Sequence, residues 1–594
     1  MKNKKLVIAL SLCLVGTAFA STILSPNTNN QSGQIPSGYT ELEFNLANGN
    51  WIKNLYLPKT AKNNDRITIN STAGYSAYLD TSNTDIPLES LEIKNNTSYQ
   101  FVFNGAQQKW LLSGNIVYPT HNVANYNVSI TSAIPKITLK TDQWAQQISL
   151  PDAATDGQLV QISSDADKES SVNRSNLLFT SSYILKKGDS FWFKYNKALN
   201  RWIPEQIKPY QVNVSSLGTT LTQVKAPITE VVFSNGNWVN GFTLPQKASD
   251  RDRIIVRSSA DWAANIQNTN TNTQATLKLK KDSRYEFMYV ADRGQWILMS
   301  APVLRLQAKD LTNQQIPNME QPTTRVQIAN SNWQSSLNLP LTAKIGDKVI
   351  LNSLAAWNTK ITAKNGLNTV IKKDETQRYI YTATGWVADS ATIDILLVNS
   401  PEVSQKLGAS AAKLRLLEDS DLTNNAAENS NAQFYIRNVG YLEYKIPSQT
   451  RLLDVISTGR TDTTVQNERN RVFADAVYYQ GAESDPAACG WGWVNITPSE
   501  FNMISAGNLS CNVGVMRHEF GHNLGLNHNN SNTIGQGFEH PLGSTVMGGN
   551  SLPYYSSPSL YHPKYGYRLG VDNEIDAVSL INKNAPIVAQ FKQS

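Results

Sequence analysis

The chain has 594 residues, of which 40% are hydrophobic and 17% charged, a composition typical of folded multidomain proteins rather than of disordered ones. Its formal net charge of +6 comes without any dense cluster of Lys and Arg, which argues against a nucleic-acid partner. Beyond the N-terminal segment no stretch approaches the ~18 continuous apolar residues of a membrane-spanning helix. We therefore expect a folded chain with no integral membrane segment.

The N-terminal segment has the three parts of a secretory signal peptide. A basic start, Met1 to Lys5, precedes an apolar run over residues 6–16 and a small-residue site, Ala18-Phe19-Ala20. The pattern predicts that residues 1–20 are removed near Ala20. We expect the mature protein to pass through the periplasm and to be secreted.

Four internal repeats occupy most of the chain. Each begins with a tryptophan, followed at a constant offset by a Leu-Pro pair, and closes with a second tryptophan. The leading tryptophans are Trp51, Trp144, Trp238 and Trp333, the prolines are Pro58, Pro151, Pro245 and Pro340, and the closing tryptophans are Trp110, Trp202, Trp296 and Trp386. We predict repeats over residues 36–120, 121–212, 213–306 and 307–399.

The repeats have the sequence pattern of β-structure. Short apolar or alternating segments such as Tyr99 to Phe103 are bounded by Asn, Gly, Ser and Asp, and long helical periodicity is absent. Units of this size predict four tandem all-β sandwiches, immunoglobulin-like in size but without a cysteine pair. We expect the recurring tryptophans to lie in the cores; the alternative is that they stack on carbohydrate at the surface.

The C-terminal region, residues 400–594, carries a metal-binding motif. His518, Glu519, His522, Gly525 and His528 read H-E-x-x-H-x-x-G-x-x-H. On a helix the first two histidines project from one face, and the glycine lets the chain turn back so that the third can join them. Three histidines leave one coordination position open, which is typical of a catalytic zinc ion rather than a structural one.

The apolar residues around the motif support a helix. Met516, Phe520 and Leu524 form a stripe on the side opposite the first two histidines, so one face can pack while the other binds metal. His121, His540 and His562 lack ligand spacing and are given no functional role.

The motif, with its filler Asn523-Leu524-Gly525, resembles the adamalysin branch of the metzincin zinc peptidases. The resemblance implies an α/β catalytic domain in which Met547, in Ser544 to Gly549, forms the apolar base of the Met-turn. Adamalysins usually have Asp after the third histidine, where this chain has Asn529. The tyrosine that some metzincins place two residues after the methionine is Gly549 here; we expect Tyr554 and Tyr555 to line the substrate pocket.

The residue types predict a hydrolytic mechanism. Zinc would make hydroxide available at neutral pH, and Glu519 is placed as the general base that takes a proton from water and passes it to the leaving amine. The function expected is that of a zinc endopeptidase with one catalytic Zn²⁺.

Two cysteines remain after signal removal, Cys489 and Cys511. In an oxidising compartment they predict one disulfide, worth about 3 kcal/mol for a loop of this size, that fixes how the zinc helix enters the domain. The alternative is a thiolate that binds zinc or inhibits the enzyme.

The order of parts, a signal peptide, four repeats and a C-terminal zinc motif, resembles secreted bacterial metzincins exported by type II secretion. That resemblance implies O-glycosylated host proteins as substrates, a virulence role and a membrane-anchored secretion chaperone as a partner. The alternative function is an adhesin whose four β-repeats bind host surfaces while the zinc domain is inactive. A zinc amidase acting on peptidoglycan is a third hypothesis.

Overall fold

A computed structural model describes residues 21–593 apart from 87, 115, 120, 131–133, 222–223, 448–450, 484–487 and 495. The predicted signal peptide, residues 1–20, lies outside the described residues. The chain forms two compact units, the first ending at Pro209 and the second starting at Tyr210. Within the described residues, no helix has the length and apolar character needed to cross a membrane.

The first unit contains two β-sandwiches, in which a five-stranded sheet faces a smaller sheet. The strands of repeat 1 are β1 Thr22–Leu24, β2 Glu41–Leu46, β3 Asn54–Leu55, β4 Arg66–Ser71, β5 Ala77–Asp80, β6 Ser90–Ile93, β7 Thr97–Asn104 and β8 Lys109–Ser113. The strands of repeat 2 are β9 Ile116–Val117, β10 Val123–Asn127, β11 Lys136–Leu139, β12 Ala145–Ser149, β13 Leu159–Ser164, β14 Ser170–Val172, β15 Tyr183–Leu185, β16 Asp189–Asn196 and β17 Arg201–Gln206.

The second unit begins with two more sandwiches of the same design, each with sheets of five and three strands. The strands of repeat 3 are β18 Tyr210–Asn213, β19 Ile228–Phe233, β20 Gly241–Phe242, β21 Arg253–Ser258, β22 Ala264–Ile266, β23 Leu277–Leu279, β24 Arg284–Val290 and β25 Gln295–Ser300. The strands of repeat 4 are β26 Val303–Gln307, β27 Thr323–Ile328, β28 Ser336–Asn338, β29 Lys348–Ser353, β30 Thr359–Thr362, β31 Asn368–Ile371, β32 Glu375–Thr382 and β33 Gly385–Ala388.

The four sandwiches confirm the predicted β-repeats, but their topology is not immunoglobulin-like. In the larger sheet of repeat 3, β18, β19 and β21 run parallel, whereas β21, β24 and β25 pair antiparallel. Immunoglobulin sheets are antiparallel throughout. The difference arises because the chain crosses to the smaller sheet between β19 and β21, and such a crossover returns it parallel to the strand it left.

The closing tryptophan of each repeat explains why a Leu-Pro pair recurs with it. All four closing indoles are buried, and each indole N–H donates to the carbonyl of the repeated proline. The pairs are Trp110 with Pro58 at 2.8 Å, Trp202 with Pro151 at 2.7 Å, Trp296 with Pro245 at 2.8 Å and Trp386 with Pro340 at 2.9 Å. The indole therefore fills the core without leaving a buried donor unsatisfied.

The prediction that the recurring tryptophans lie in the cores is wrong for the leading tryptophans. Each of them is only partly buried at the edge of its core. The ring of each leading tryptophan contacts the side chain of the residue 24 positions later in the chain. The partners are Tyr75, Lys168, Trp262 and Trp357, at ring-centroid or Nζ-to-centroid distances of 6.0, 5.3, 6.4 and 5.6 Å. The three aromatic partners are 73%, 58% and 55% exposed, so each pair joins the core to the surface.

The C-terminal domain begins earlier than predicted. The sequence predicts that residues 391–399 close repeat 4, but they form a strand of the C-terminal sheet. The strands of this sheet are β34 Ala391–Asn399, β35 Phe434–Glu443, β36 Ala476–Gly481, β37 Gly490–Gly492 and β38 Ile504–Asn508. Their order in the sheet is β35-β34-β36-β38-β37. A buried parallel strand has no local sign of its partners, which lie far along the chain.

Helices cover both faces of this sheet. They are α1 Pro401–Leu407, α2 Ala409–Asn429, α3 Leu452–Gly459, α4 Thr463–Arg471, α5 Val515–Asn523 and α6 Ala577–Val588, and a two-stranded ribbon is formed by β39 Ser557–Tyr561 and β40 Arg568–Leu569. One core joins α2, α5 and α6 to the sheet, and a second core joins α3 and α4 to its other face. Helix α5, which carries His518 and His522, is thus held in the larger core.

The ribbon of the C-terminal domain packs against repeat 3. Tyr561 joins Met288 and Ile297 in a small apolar cluster, and the Arg293 guanidinium donates to the Pro558 carbonyl at 3.3 Å. Beside this contact His562 is 5% exposed. Its burial, together with the nearby charge of Arg253, lowers the pKa of His562 to about 4.

His562 should make the stability of the second unit depend on pH. Its folded pKa lies below the ordinary value of about 6.5, so between pH 4 and 6.5 the unfolded chain binds a proton that the folded chain does not. Its contribution is present above pH 6.5 and is lost as the pH falls. Between pH 7 and 4 the wild type should lose up to about 3 kcal/mol more than His562→Asn, measured as urea midpoints of chelator-treated protein. Equal pH dependence would contradict this account.

Candidate metal centre

Helix α5 presents the first two motif histidines on its open side. Met516 and Phe520 on the helix, and Leu524 just after it, are fully buried, as the apolar stripe predicts. His518 is half-buried and His522 buried, and their ring centroids lie 5.0 Å apart. The amphipathic pattern therefore anchors the helix and fixes the direction of both imidazoles.

A turn at Gly525 brings the third histidine to the same point. The glycine has φ +96°, a conformation that disfavours any side chain. His528 Nε2 then lies 3.0 Å from His518 Nε2 and 3.1 Å from His522 Nε2. Within the described residues this is the only group of three or more His, Cys, Asp or Glu side chains close enough to share a metal ion.

Backbone carbonyls determine which ring nitrogens carry protons. His518 Nδ1 lies 2.8 Å from the Val546 carbonyl, and His522 Nδ1 lies 2.9 Å from the Leu526 carbonyl. A carbonyl only accepts, so each Nδ1 is the donor and each neutral ring has its Nε2 lone pair free. The Nε2 lone pairs of His518 and His522 both lie beside His528 Nε2, which cannot donate a proton to both of them. A cation such as Zn²⁺ fits this donor set.

Burial gives His518 and His522 the uncharged forms that metal binding needs. It is the main cause that lowers the pKa of His518, and that lowers the pKa of His522 to about 3. Burial likewise raises the pKa of Glu519, which is 6% exposed, to about 8. A carboxyl with so high a pKa can both hold and release a proton near neutral pH.

Met547 packs against helix α5. It is 1% exposed within the short 3-10 helix Val546–Gly548, and a Cβ added at Gly521 would lie 2.8 Å from its sulfur. The same short helix supplies the Val546 carbonyl that orients His518. This segment therefore both supports the helix and orients one of its histidines.

The edge strand β37 passes close to the motif. A Cβ at Gly490 would lie 2.6 Å from Glu519 Cγ, and a Cβ at Gly492 would lie 2.3 Å from the Glu519 carbonyl oxygen. The disulfide between Cys489 and Cys511, which the sequence predicts, joins the start of this strand to the loop before α5. Both thiols are thus bonded to each other and are not available as metal ligands.

A cleft of about 910 Å³ opens between β37 and the motif. Its lining includes His518, Glu519, His522 and His528 together with Arg451, Trp491, Arg517 and Asn550. Neither tyrosine that was expected in the pocket lines it. Tyr555 is fully buried and its hydroxyl donates to the Arg517 carbonyl at 2.8 Å, and Tyr554 lies beside it in the chain. In this structure Tyr555 supports helix α5 from the side away from the cleft.

Several residues of the site could not be recognised from the sequence. The orienting groups are the backbone carbonyls of Val546 and Leu526, and Asn584 donates to the Leu524 carbonyl at 2.8 Å from α6. Every residue has a carbonyl, so no residue type marks these positions. Of the other histidines, His540 stacks on Tyr567 at 3.7 Å, away from the motif.

Comparisons with known proteins agree with the repeats. A family model described as metalloprotease StcE, beta-sandwich domain, matches residues 40–114, 132–206, 226–300 and 321–390. A solved chain titled "Structure of a chaperone-substrate complex" is 54% identical, with a TM-score of 0.84 over 96% of this chain and 100% of that chain. No curated protein matches. This chain therefore belongs to the family that carries the StcE β-sandwich domain.

A second solved structure, "Crystal structure of enterohemorrhagic E. coli StcE(132-251)", is 18% identical over 16% of this chain and 89% of that chain. Its TM-score of 0.12 supports no statement about the fold.

The close approach of β37 to α5 makes Gly492 a sensitive position. A methyl group there would meet the Glu519 carbonyl, which belongs to the helix backbone and cannot move aside. Gly492→Ala should destabilise the C-terminal domain by about 1–3 kcal/mol, seen as a lower melting temperature. Gly74→Ala, whose nearest neighbour would lie 3.4 Å away, is the matched control and should stay within about 0.5 kcal/mol. Equal effects would contradict the packing described.

Proposed function

We propose that this member of the StcE β-sandwich family is a secreted zinc-dependent endopeptidase that hydrolyses peptide bonds in O-glycosylated proteins. The observation that carries the proposal is the convergence of three histidine Nε2 atoms beside a buried glutamate at an open cleft. Three nitrogen ligands with a fourth position left open are the donor set of catalytic rather than structural zinc.

His518, His522 and His528 would hold the ion. When bound, zinc would supply an activated water and polarise the scissile carbonyl. Glu519 lies next to His518 on the helix, where its carboxylate can take a proton from water and deliver it to the leaving amine.

Strand β37 is the edge strand to which the substrate backbone would bind. It ends the five-stranded sheet and pairs antiparallel with β38 on its inner side. An extended peptide can add to the outer side of such an edge strand, which would lay the scissile bond across the cleft beside the histidines. The glycines at positions 490 and 492 let this strand lie close to α5.

The substrate class and the route of export rest on resemblance. The StcE domain family comes from a metalloprotease, which supports a role of the repeats in presenting substrates. The order of parts resembles CpaA, the metzincin that Acinetobacter secretes by type II secretion, and supports glycoprotein substrates, signal removal near Ala20 and a membrane-anchored chaperone partner. A similar chain in a chaperone–substrate complex is consistent with such a partner.

Zinc dependence and the role of Glu519 can be tested together. Wild type should bind one zinc ion by elemental analysis and cleave a mucin-like O-glycoprotein, with fragments identified by mass spectrometry. Glu519→Gln should keep zinc and lose about 10²–10⁴-fold in turnover, because only the proton transfer is removed. His522→Ala should lose zinc. Loss of zinc from Glu519→Gln would contradict the general-base role, and equal cleavage of deglycosylated substrate would remove the glycan requirement.

A second candidate function, adhesion through the repeats, is favoured by the exposed aromatic partners. Tyr75, Trp262 and Trp357 recur in register on three repeats, whereas repeat 2 has Lys168 there. Exposed aromatic rings at equivalent positions of tandem domains can bind a repetitive surface ligand with avidity.

Adhesion predicts that binding survives without catalysis. Glu519→Gln should bind immobilised glycoprotein as wild type does, and replacing Trp262 and Trp357 by Lys, the residue of repeat 2, should weaken that binding at least about tenfold through lost avidity. Surface plasmon resonance measures both. Unchanged binding of the double variant would exclude the aromatic surface.

A further inference from the structure

We infer that Arg517 forms an anion subsite in the cleft, which binds a carboxylate carried by the substrate within about two residues of the scissile bond. This inference rests on the proposed peptidase function and adds a specificity to it. Arg517 directly precedes His518, so its Cα lies one peptide step, about 3.8 Å, from that of a zinc ligand. Both side chains line the same cleft.

The guanidinium of Arg517 is held in one orientation. Its Nε donates to Asn550 Oδ1 at 2.6 Å and its Nη2 donates to the Asn550 carbonyl at 2.9 Å. Asn550 is fixed in turn, because its Nδ2 donates to the Gly514 carbonyl at 2.9 Å. An arginine clamped in this way loses little further freedom when it binds a planar carboxylate.

The guanidinium of Arg517 makes no direct ion pair with a carboxylate in the described part of the chain. Its hydrogen-bond acceptors are neutral oxygens of one asparagine, and Nη1 makes no hydrogen bond to a described residue. The buried Asp419 carboxylate acts on the charge of Arg517 without a hydrogen bond to it. Arg437, a buried arginine of the same domain, is instead paired directly with the Asp394 carboxylate. A half-buried cation without a direct ion pair favours an anionic ligand from outside.

The described lining of the cleft offers little negative charge to compete with a ligand. Among the described residues, its one acidic side chain is Glu519, which is buried beside the histidines. A positive charge in a cleft concentrates anionic groups there. The carboxylate can come from an Asp or Glu side chain or from an acidic sugar on the substrate.

Matched substrates test the inference and identify the source. Zinc-loaded wild type is given glycopeptides with Glu or Gln at each of the two positions on either side of the cleaved bond, and the same glycopeptide with and without terminal sialic acid. The acidic member of at least one pair should have a kcat/KM about tenfold higher or more. Preference for Glu assigns a peptide carboxylate, and preference for sialylation assigns the sugar. Ratios near one in every pair would overturn the inference.

Variants then assign the preference to Arg517. Arg517→Gln should bring the acidic-to-neutral ratio close to one, and Arg517→Lys should keep part of it, because the charge stays while the clamp is lost. Arg471→Gln, an exposed arginine on α4, is the control and should keep the full ratio. An unchanged ratio in Arg517→Gln would overturn the assignment. If that variant loses zinc by elemental analysis, Arg517→Lys and the salt dependence of the wild-type ratio decide instead.

A binding measurement separates this inference from the peptidase proposal. Zinc-loaded Glu519→Gln is titrated with the acidic and the neutral glycopeptides by calorimetry, which needs no turnover. Tighter binding of the acidic peptide, absent in the double variant with Arg517→Gln, supports the subsite even if wild type cleaves nothing. Equal affinities overturn the subsite even if wild type is an active peptidase.

Discussion

The convergence of three imidazole nitrogens is the constraint on which the C-terminal domain depends. His528 brings its Nε2 atom to 3.0 Å from that of His518 and 3.1 Å from that of His522, a donor set that a cation fits. Two carbonyls fix the ring tautomers, and the positive φ of Gly525 makes the return turn possible. The large core under α5 and the glycines of β37 keep this helix close to the edge of the sheet.

The four repeats each form a separate core from short strands. Each closing tryptophan fills its sandwich and satisfies its N–H with the carbonyl of a proline from an earlier part of the same repeat. The hydrogen bond joins two parts about 50 residues apart, and it explains why both residue types recur. The leading tryptophans have no such shared partner, and they connect the core to exposed rings instead.

Local patterns predicted much of this structure. The helical stripe of Met516, Phe520 and Leu524, the cysteine pair and the β-character of the repeats all follow from side-chain spacing. Sheet partners did not follow, because β34 pairs with strands more than 30 residues away, and a continuous buried run is the same whichever neighbour it has. For the same reason the sequence did not predict the parallel strand pairing within each repeat.

By itself the sequence determined which chemical groups are present and which of them share a local face: two histidines one helical turn apart, a glutamate between them, and four equivalent tryptophan–proline sets. Only the tertiary structure decided how these groups are used. It brought the carbonyls of Val546 and Leu526 to the histidines, placed Tyr555 behind the helix and clamped Arg517 against Asn550 in the cleft. Backbone carbonyls are common to all residues, and the pairing of a charge depends on distant neighbours, so neither leaves a mark in the sequence.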